Sequence, residues 1–445
     1  MDSSALPERP PFTLRARVIT PLANGETKHL ADGLLTIDAA GRLVDVRDAA
    51  SNGALAADAI DVRPWVAMPG FVDLHVHLPQ LTNAGLGYGL DLLTWLERHI
   101  FPLERAWADA SVAATVAPAA FRAFAAAGTT TLLAYGAVFE DSLDAAFRAA
   151  EAHGIRAVLG KVMMDRVTYD ERQTPGSLAL AERSLRESAD LCLRWNGRDG
   201  GRLRYAFTPR FAVACTFDLL RESAALAAAA DALWQTHVSE DRGEIAEVAR
   251  LFPDAHDYVD VYDRAGALGP RTILAHAIHL SDREIARLVE TGTRIAHCPA
   301  SNLFLASGVM PLARYLEAGL IVGLGSDVAA GPDLQIATQM RVGAYMQNAL
   351  KVVGGDPRPI LDPLGWLRLA TLDGARALAL DDVTGSLEPG KDADVILVDP
   401  ATTAVLPGLP DPDDPGDLVS RLMFRTHPAM VRAAYVRGRR LEGPV

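Results

Sequence analysis

The strongest constraint on this chain is the order of its segment types. Eight short apolar, β-prone runs alternate with helical stretches through the middle of the sequence. The runs are GFVDLHVH (70–77), GTTTLLAYG (128–136), IRAVLGKVMMD (155–165), LRYAFTPRF (203–211), ALWQTHVSE (232–240), TILAHAIHL (272–280), RIAHCPASN (294–302) and IVGLGSDVA (321–329). Helix-like stretches such as DSLDAAFRAAEAHG, AERSLRESADLCLRW and SDREIARLVETG lie between them. Eight strand-plus-helix units in series predict a (β/α)8 TIM-like barrel. A doubly wound open sheet is the alternative, but no GxGxxG opens a helix after the first run.

The two ends have a different character. FTLRARVITPL (12–22) and GLLTIDAAGRLVDVR (33–47, turning at Asp38–Gly41) are strand-like, and so are GSLEPGKDADVILVD (385–399) and MVRAAYVRGRRL (430–441). Short flanking strands cannot bury a face alone. They are expected to pair into a small β-sandwich domain formed by both termini, residues 1–66 with 384–445, around a barrel of 67–383. Two separate hairpins docked on the barrel are the alternative. PGLPDPDDPGD (407–417) reads as a surface loop.

A chain of 445 residues with 49% hydrophobic content has enough material for one large barrel plus such a domain. Its net charge of −13 argues against nucleic acid and anionic membrane as partners, since both require clustered Lys and Arg. Cys192, Cys215 and Cys298 form no CxxC pair, so neither a disulfide framework nor a zinc knuckle is expected. The opening MDSSALPERPP has no signal-peptide pattern, and no apolar run reaches membrane-spanning length. A soluble cytoplasmic protein is the expectation.

Barrel active sites lie at the C-terminal ends of the strands. Read in order, those ends carry His75 and His77 (strand one), His237 and Glu240 (strand five), His276 (strand six) and Asp327 (strand eight). Strand alternation puts His75 and His77 on one face and Val76 on the other. Three imidazoles and a carboxylate make an N/O donor set suited to one Zn2+, or to Fe2+, with a position left for water. One HxH pair alone would be weak evidence; compatible ligands at several strand ends are stronger.

PGFVDLHVH, HVSE, ILAH and GLGSD, in this order and spacing, resemble the amidohydrolase superfamily of metal-dependent hydrolases. The resemblance implies that His75, His77, His237 and Asp327 hold the metal. It implies further that Glu240 shuttles protons, that His276 hydrogen-bonds the activated water, and that Asp327 takes a proton from it. It also implies one ion, because the modified Lys that bridges two-metal sites is missing from strand four, which ends YAFTPRF. Lys161, in GKVMM, reads as a structural ion-pair residue.

An activated water could attack an amide carbonyl, a C–Cl carbon or an amidine-like ring carbon, and the pocket decides which. Gln80 follows the HVH, Arg210 and Phe211 lie at the mouth of strand four, and DLLTWLERHIFPLE (91–104) predicts an amphipathic helix with Leu92, Leu93, Trp95, Leu96 and Ile100 on its apolar side. An amide, a guanidinium and an aromatic ring suit a flat heterocycle carrying a carbonyl and ring nitrogens. Taken singly, Gln80 could be a loop residue, Arg210 a surface ion pair and Phe211 a core residue. Together with GKVMMD, YVDVYD (258–263), HCPASNLFLASG (297–308) and GLGSDVAAG, they resemble the guanine-deaminase branch of the superfamily over residues 60 to 400.

That resemblance implies a purine pocket of His77, Gln80, Arg210, Phe211, His237, Glu240 and Asp327, and a homodimer. Two departures stand out: Ser326 where the branch has threonine, and Ala330 where it has glycine. His279 and His297 are read as structural residues or as supports just outside the ligand set, which is complete without them. Deaminases of 8-oxoguanine or pterins and triazine-type chlorohydrolases are the neighbouring alternatives, and a non-catalytic barrel is the distant one. The zinc deaminases with a P-C-x-x-C signature are excluded because the cysteine pair is missing.

Overall fold

The computed structural model describes residues 6–443. Its strands are β1 (Phe12–Pro21), β2 (Thr27–Ile37), β3 (Leu43–Asp48), β4 (Ile60–Pro69), β5 (Phe71–His77), β6 (Thr129–Tyr135), β7 (Arg156–Gly160), β8 (Val162–Met163), β9 (Leu203–Pro209), β10 (Leu233–Val238), β11 (Thr272–His276), β12 (Arg294–His297), β13 (Val322–Leu324), β14 (Val395–Val398), β15 (Val431–Val436) and β16 (Arg439–Arg440). Eight of them run parallel in the order β5-β6-β7-β9-β10-β11-β12-β13, and β8 pairs only with β9. Helices separate successive strands, as the alternating pattern requires.

Backbone bonds past the end of β13 close the barrel. The Asp327 N–H donates to the His75 carbonyl at 2.7 Å, and the His77 N–H donates to the Val328 carbonyl at 3.3 Å. Asp73 of β5 reinforces this closure by accepting from the Ser326 N–H at 2.9 Å and the Ser326 hydroxyl at 2.5 Å. Ser326 therefore supplies the hydroxyl that a threonine would supply there. Gly325 is required for the approach: a Cβ on it would lie 2.7 Å from the His75 Cβ.

Every residue of β5, β6 and β7 is buried, which fits parallel strands covered on both faces. Val72, Leu74, Leu133, Val158, Ala206, Leu233, Ile273 and Ala296 come from seven strands yet form one cluster. Only the barrel interior lets them meet. Val76 joins the larger helix-side core instead. Between Asp73 and Val76, β5 carries one more residue than β6 opposite it. Such a bulge re-aims the strand, so the same short run packs the interior with Leu74 and delivers His75 and His77 to the mouth.

Strands from both ends of the chain share one seven-stranded sheet, ordered β16-β15-β14-β4-β1-β2-β3. β14 pairs directly with β4, so the two ends do not form separate hairpins. The sheet covers its own core, which includes Leu14, Val18, Leu35, Val46, Trp65, Leu397 and Tyr435. The two halves of the expected sandwich are continuous through β4 and β1. No helix among the described residues is long and apolar enough to cross a membrane.

The sheet is tied to the barrel by a buried charge cluster. Arg156, at the start of β7, donates to Asp394 at 2.9 Å and to Asp392 at 2.8 Å, and all three are buried. Removing one member leaves buried charge without its partner, which costs about 3–5 kcal/mol. Arg156→Ala is expected to lower the stability from denaturant unfolding by about 3 kcal/mol, toward the lower bound of that range, because Arg437 still contacts Asp392. An unchanged midpoint would show that Arg437 carries the cluster alone.

Two local readings need correction. RIAHCPASN is a strand only as far as His297, after which Pro299–Phe304 is helical, with the proline in the first turn, where its missing N–H costs nothing. DLLTWLERHIFPLE is one continuous helical segment, but a π-helical turn over Leu96–Ile100 interrupts it. That turn rotates the faces. Leu92, Trp95, Leu96 and Ile100 are buried as expected, whereas Leu93 is 41% exposed.

Candidate active site

The mouth of the barrel gathers the residues singled out from the strand ends. Side-chain ligand atoms of His75, His77 and His237 all lie within 4.8 Å of one another, and so do those of His75, His276 and Asp327. The His77 and His237 Nε2 atoms are 3.3 Å apart, and Asp327 Oδ1 lies 3.3 Å from His75 Nε2 and 3.5 Å from His77 Nε2. His75 Nε2 is buried without a hydrogen bond. Burial costs such a nitrogen its water partner, and a cation among the imidazoles would satisfy it.

Electrostatics favour the same donor set. Burial pulls His75 down and holds His77 and His237 well below the ordinary imidazole range, so their nitrogens keep lone pairs to offer. Burial alone would raise Asp327, but the imidazoles of His75 and His276 and the Ser301 hydroxyl bring it down to about 2. The His237 Nδ1–H donates to the Arg210 carbonyl at 2.5 Å, which leaves Nε2 facing the cluster. The donor set of buried imidazoles and a carboxylate fits a divalent metal ion.

Glu240 and His276 sit beside this set, with His276 Nε2 lying 3.5 Å from Glu240 Oε2 and 3.8 Å from Asp327 Oδ2. Burial pushes Glu240 up to about 7. Burial opposes charge on His276, yet Glu240 and Asp327 raise it above the ordinary imidazole value. In the parallel register His237 pairs with Ala275, so simple alternation would aim His276 at the helix layer. A left-handed backbone at His276 (φ +70°) turns it into the mouth. Ser239 and Asp327 share that conformation (φ +47° and +48°), which costs an ordinary residue about 1–2 kcal/mol.

One cavity joins the two halves of the sequence reading. His77, Gln80, Trp95, Arg210, Phe211, His237, Glu240, His276, Asp327 and Ala330 all line it. Phe211 meets His237 edge-on, with ring centroids 6.4 Å apart. Arg210 is 2% exposed and Gln80 is equally buried, so neither is a surface residue. His279 lies outside, bonded to the Ser307 carbonyl at 2.8 Å, and His297 is buried away from the cavity. Lys161 pairs with Glu187 at 3.3 Å.

Four supporting residues escaped the sequence reading. Glu104 accepts from Gln80 Nε2 at 2.8 Å and from Arg210 at 2.5 Å. Ser301 donates to Asp327 Oδ2 at 2.6 Å, Asn302 Oδ1 accepts from His276 Nδ1–H at 2.9 Å, and Ser307 donates to Glu240 at 3.2 Å. All four lie in stretches already quoted, FPLE and HCPASNLFLASG. The available signal was a carboxylate closing the apolar Phe101–Leu103 run and a Ser-Asn pair in the first turn after a proline.

The model of the amidohydrolase family matches residues 66–441. A probable guanine deaminase of Deinococcus radiodurans is 39% identical over 365 residues, which is 82% of this chain and 80% of that protein. The structure of a guanine deaminase from C. acetobutylicum with guanine bound in its active site superposes with a TM-score of 0.89 at 26% identity, over 97% of this chain and 99% of that one. An adenosine deaminase from Xanthomonas campestris with bound zinc gives 0.81 at 26% identity, over 99% and 95%. The sequence match spans most of the chain and the match in fold nearly all of it, and the chain belongs to the amidohydrolase family.

Proposed function

We propose that this chain hydrolyses guanine to xanthine and ammonia, with zinc as its cation. The observation that carries the reading is the single cavity in which Gln80, Arg210 and Phe211 face Glu240, His276 and the His/Asp cluster. The guanine deaminase names of its relatives support the same substrate, and the N/O donor set and a zinc-bound relative support the metal.

Held by His75, His77, His237 and Asp327, the cation supplies Lewis-acid activation of a water molecule. The residues of the chain then handle orientation and protons. Arg210 donates to the exocyclic carbonyl of guanine, Gln80 meets the adjacent ring N–H, and Phe211 borders the ring. Glu240 gives a proton to the ring nitrogen beside C2, while Asp327 takes one from the attacking water as its oxygen bonds to C2. The Asp327 proton next passes to the amino group and the C2–N bond breaks. Ammonia leaves, and the new hydroxyl returns a proton to Glu240 as it becomes the C2 carbonyl. Both carboxyl groups end as they began. His276, between the two and fixed by Asn302, orients the water.

An ammonia-release panel of guanine, 8-oxoguanine, a pterin and a chlorotriazine tests the assignment on the purified, metal-loaded protein. Guanine is expected to give the highest kcat/KM. Greater release from another ring would reassign the substrate, and chloride release would move the chain to the chlorohydrolases.

A further inference from the structure

Glu104 stands behind the cavity wall and does not line it. It is fully buried, and its two oxygens hold the two side chains that the guanine reading assigns to substrate recognition. Among the described residues, no other group hydrogen-bonds the Gln80 amide or the Arg210 guanidinium. The Phe101 ring packs against the guanidinium, with its centroid 5.3 Å from the central carbon.

Granted the guanine reaction proposed above, we infer that Glu104 is a specificity-determining positioning residue that locks Gln80 as a hydrogen-bond acceptor beside the Arg210 donor. A carboxylate accepts hydrogen bonds and donates none. Only the NH2 end of Gln80 can therefore face Glu104, and the carbonyl end is left for the cavity. A flipped Gln80 would set two acceptors against each other in a buried site, where an unmet acceptor is costly. Arg210, tied at one nitrogen, keeps its other N–H groups for the ligand.

The wall thus offers an acceptor next to a donor, and its complement is a ring N–H next to a carbonyl. Guanine carries that pair at N1 and C6. In 2,6-diaminopurine the C2 amino group is the same, but the pair is inverted: N1 accepts and the C6 amino group donates. A freely turning glutamine could meet N1 of either base, whereas a locked one meets only that of guanine; Arg210, which cannot accept, opposes the C6 amino group in both cases.

The test uses full-length, metal-loaded protein, with KM and kcat for guanine and Ki for 2,6-diaminopurine measured as a competitor of xanthine formation. Glu104→Gln replaces the fixed acceptor by an amide that can also donate, so Gln80 can turn. The ratio of Ki to KM is expected to fall about tenfold or more, with kcat changing less than KM. Gln80→Ala, which keeps the Glu104–Arg210 pair, is expected to lower the ratio similarly. Adding Glu104→Gln to it should then change the ratio little.

Wild-type protein that releases no ammonia from guanine would overturn the guanine reading itself. An active wild type whose ratio is unchanged in folded Glu104→Gln would overturn the role of Glu104. If Glu104→Gln does not fold, an unchanged ratio in Gln80→Ala overturns it equally.

Discussion

Glu240→Gln is expected to slow xanthine formation from guanine by about 10²–10⁴-fold, the range for loss of a positioned acid–base group. The substitution keeps the size of the side chain and its contact with Ser307, so guanine binding should change far less than turnover. In the proposed route the carboxyl both gives a proton to the ring and receives one from the new hydroxyl, and an amide does neither. Ammonia release at saturating guanine checks the outcome. Turnover within a factor of a few of wild type would remove Glu240 from the proton path.

Treatment with a strong chelator is expected to abolish ammonia release, and added zinc to restore it. The same treatment should lower the melting temperature, because an ion that binds only the folded state stabilises it, by about 2.7 kcal/mol at a hundredfold excess over its Kd. Both effects share a physical source. The buried imidazoles of His75, His77 and His237 crowd together, Asp327 lies within 3.5 Å of the first two, and His75 Nε2 has no hydrogen bond. Full activity in protein shown by metal analysis to be free of divalent ions would defeat the reading. Restoration by iron and not by zinc would instead change the metal assigned.

What the sequence revealed followed from short-range rules. Apolar runs at regular spacing mark barrel strands, and polar residues at their ends mark the mouth. His75, His77, His237 and Asp327 were legible on that basis, and so was the union of both termini in one sheet. Alternation failed where the backbone leaves strand geometry. The left-handed turn that aims His276 and the bulge that reconciles Leu74 with His75 leave no mark in residue type. Glu104 was hidden for a different reason. Its partners lie 24 and 106 residues away, and only the folded chain brings them together. In RIAHCPASN the β-prone start masked a helix that the proline announces, and with it Ser301 and Asn302.

The closure of the barrel between β5 and β13 has an evolutionary consequence. His75, His77 and Asp327 provide the site with side chains, and the fold with peptide groups that fasten its first strand to its last. Substituting a side chain spares those peptide bonds, but any drift in backbone position there reaches chemistry and closure together. Insertions and deletions should therefore accumulate in loops elsewhere on the rim and be purged from 73–77 and 325–328. Divergence toward new substrates is left to the wall residues, whose replacement does not open the barrel.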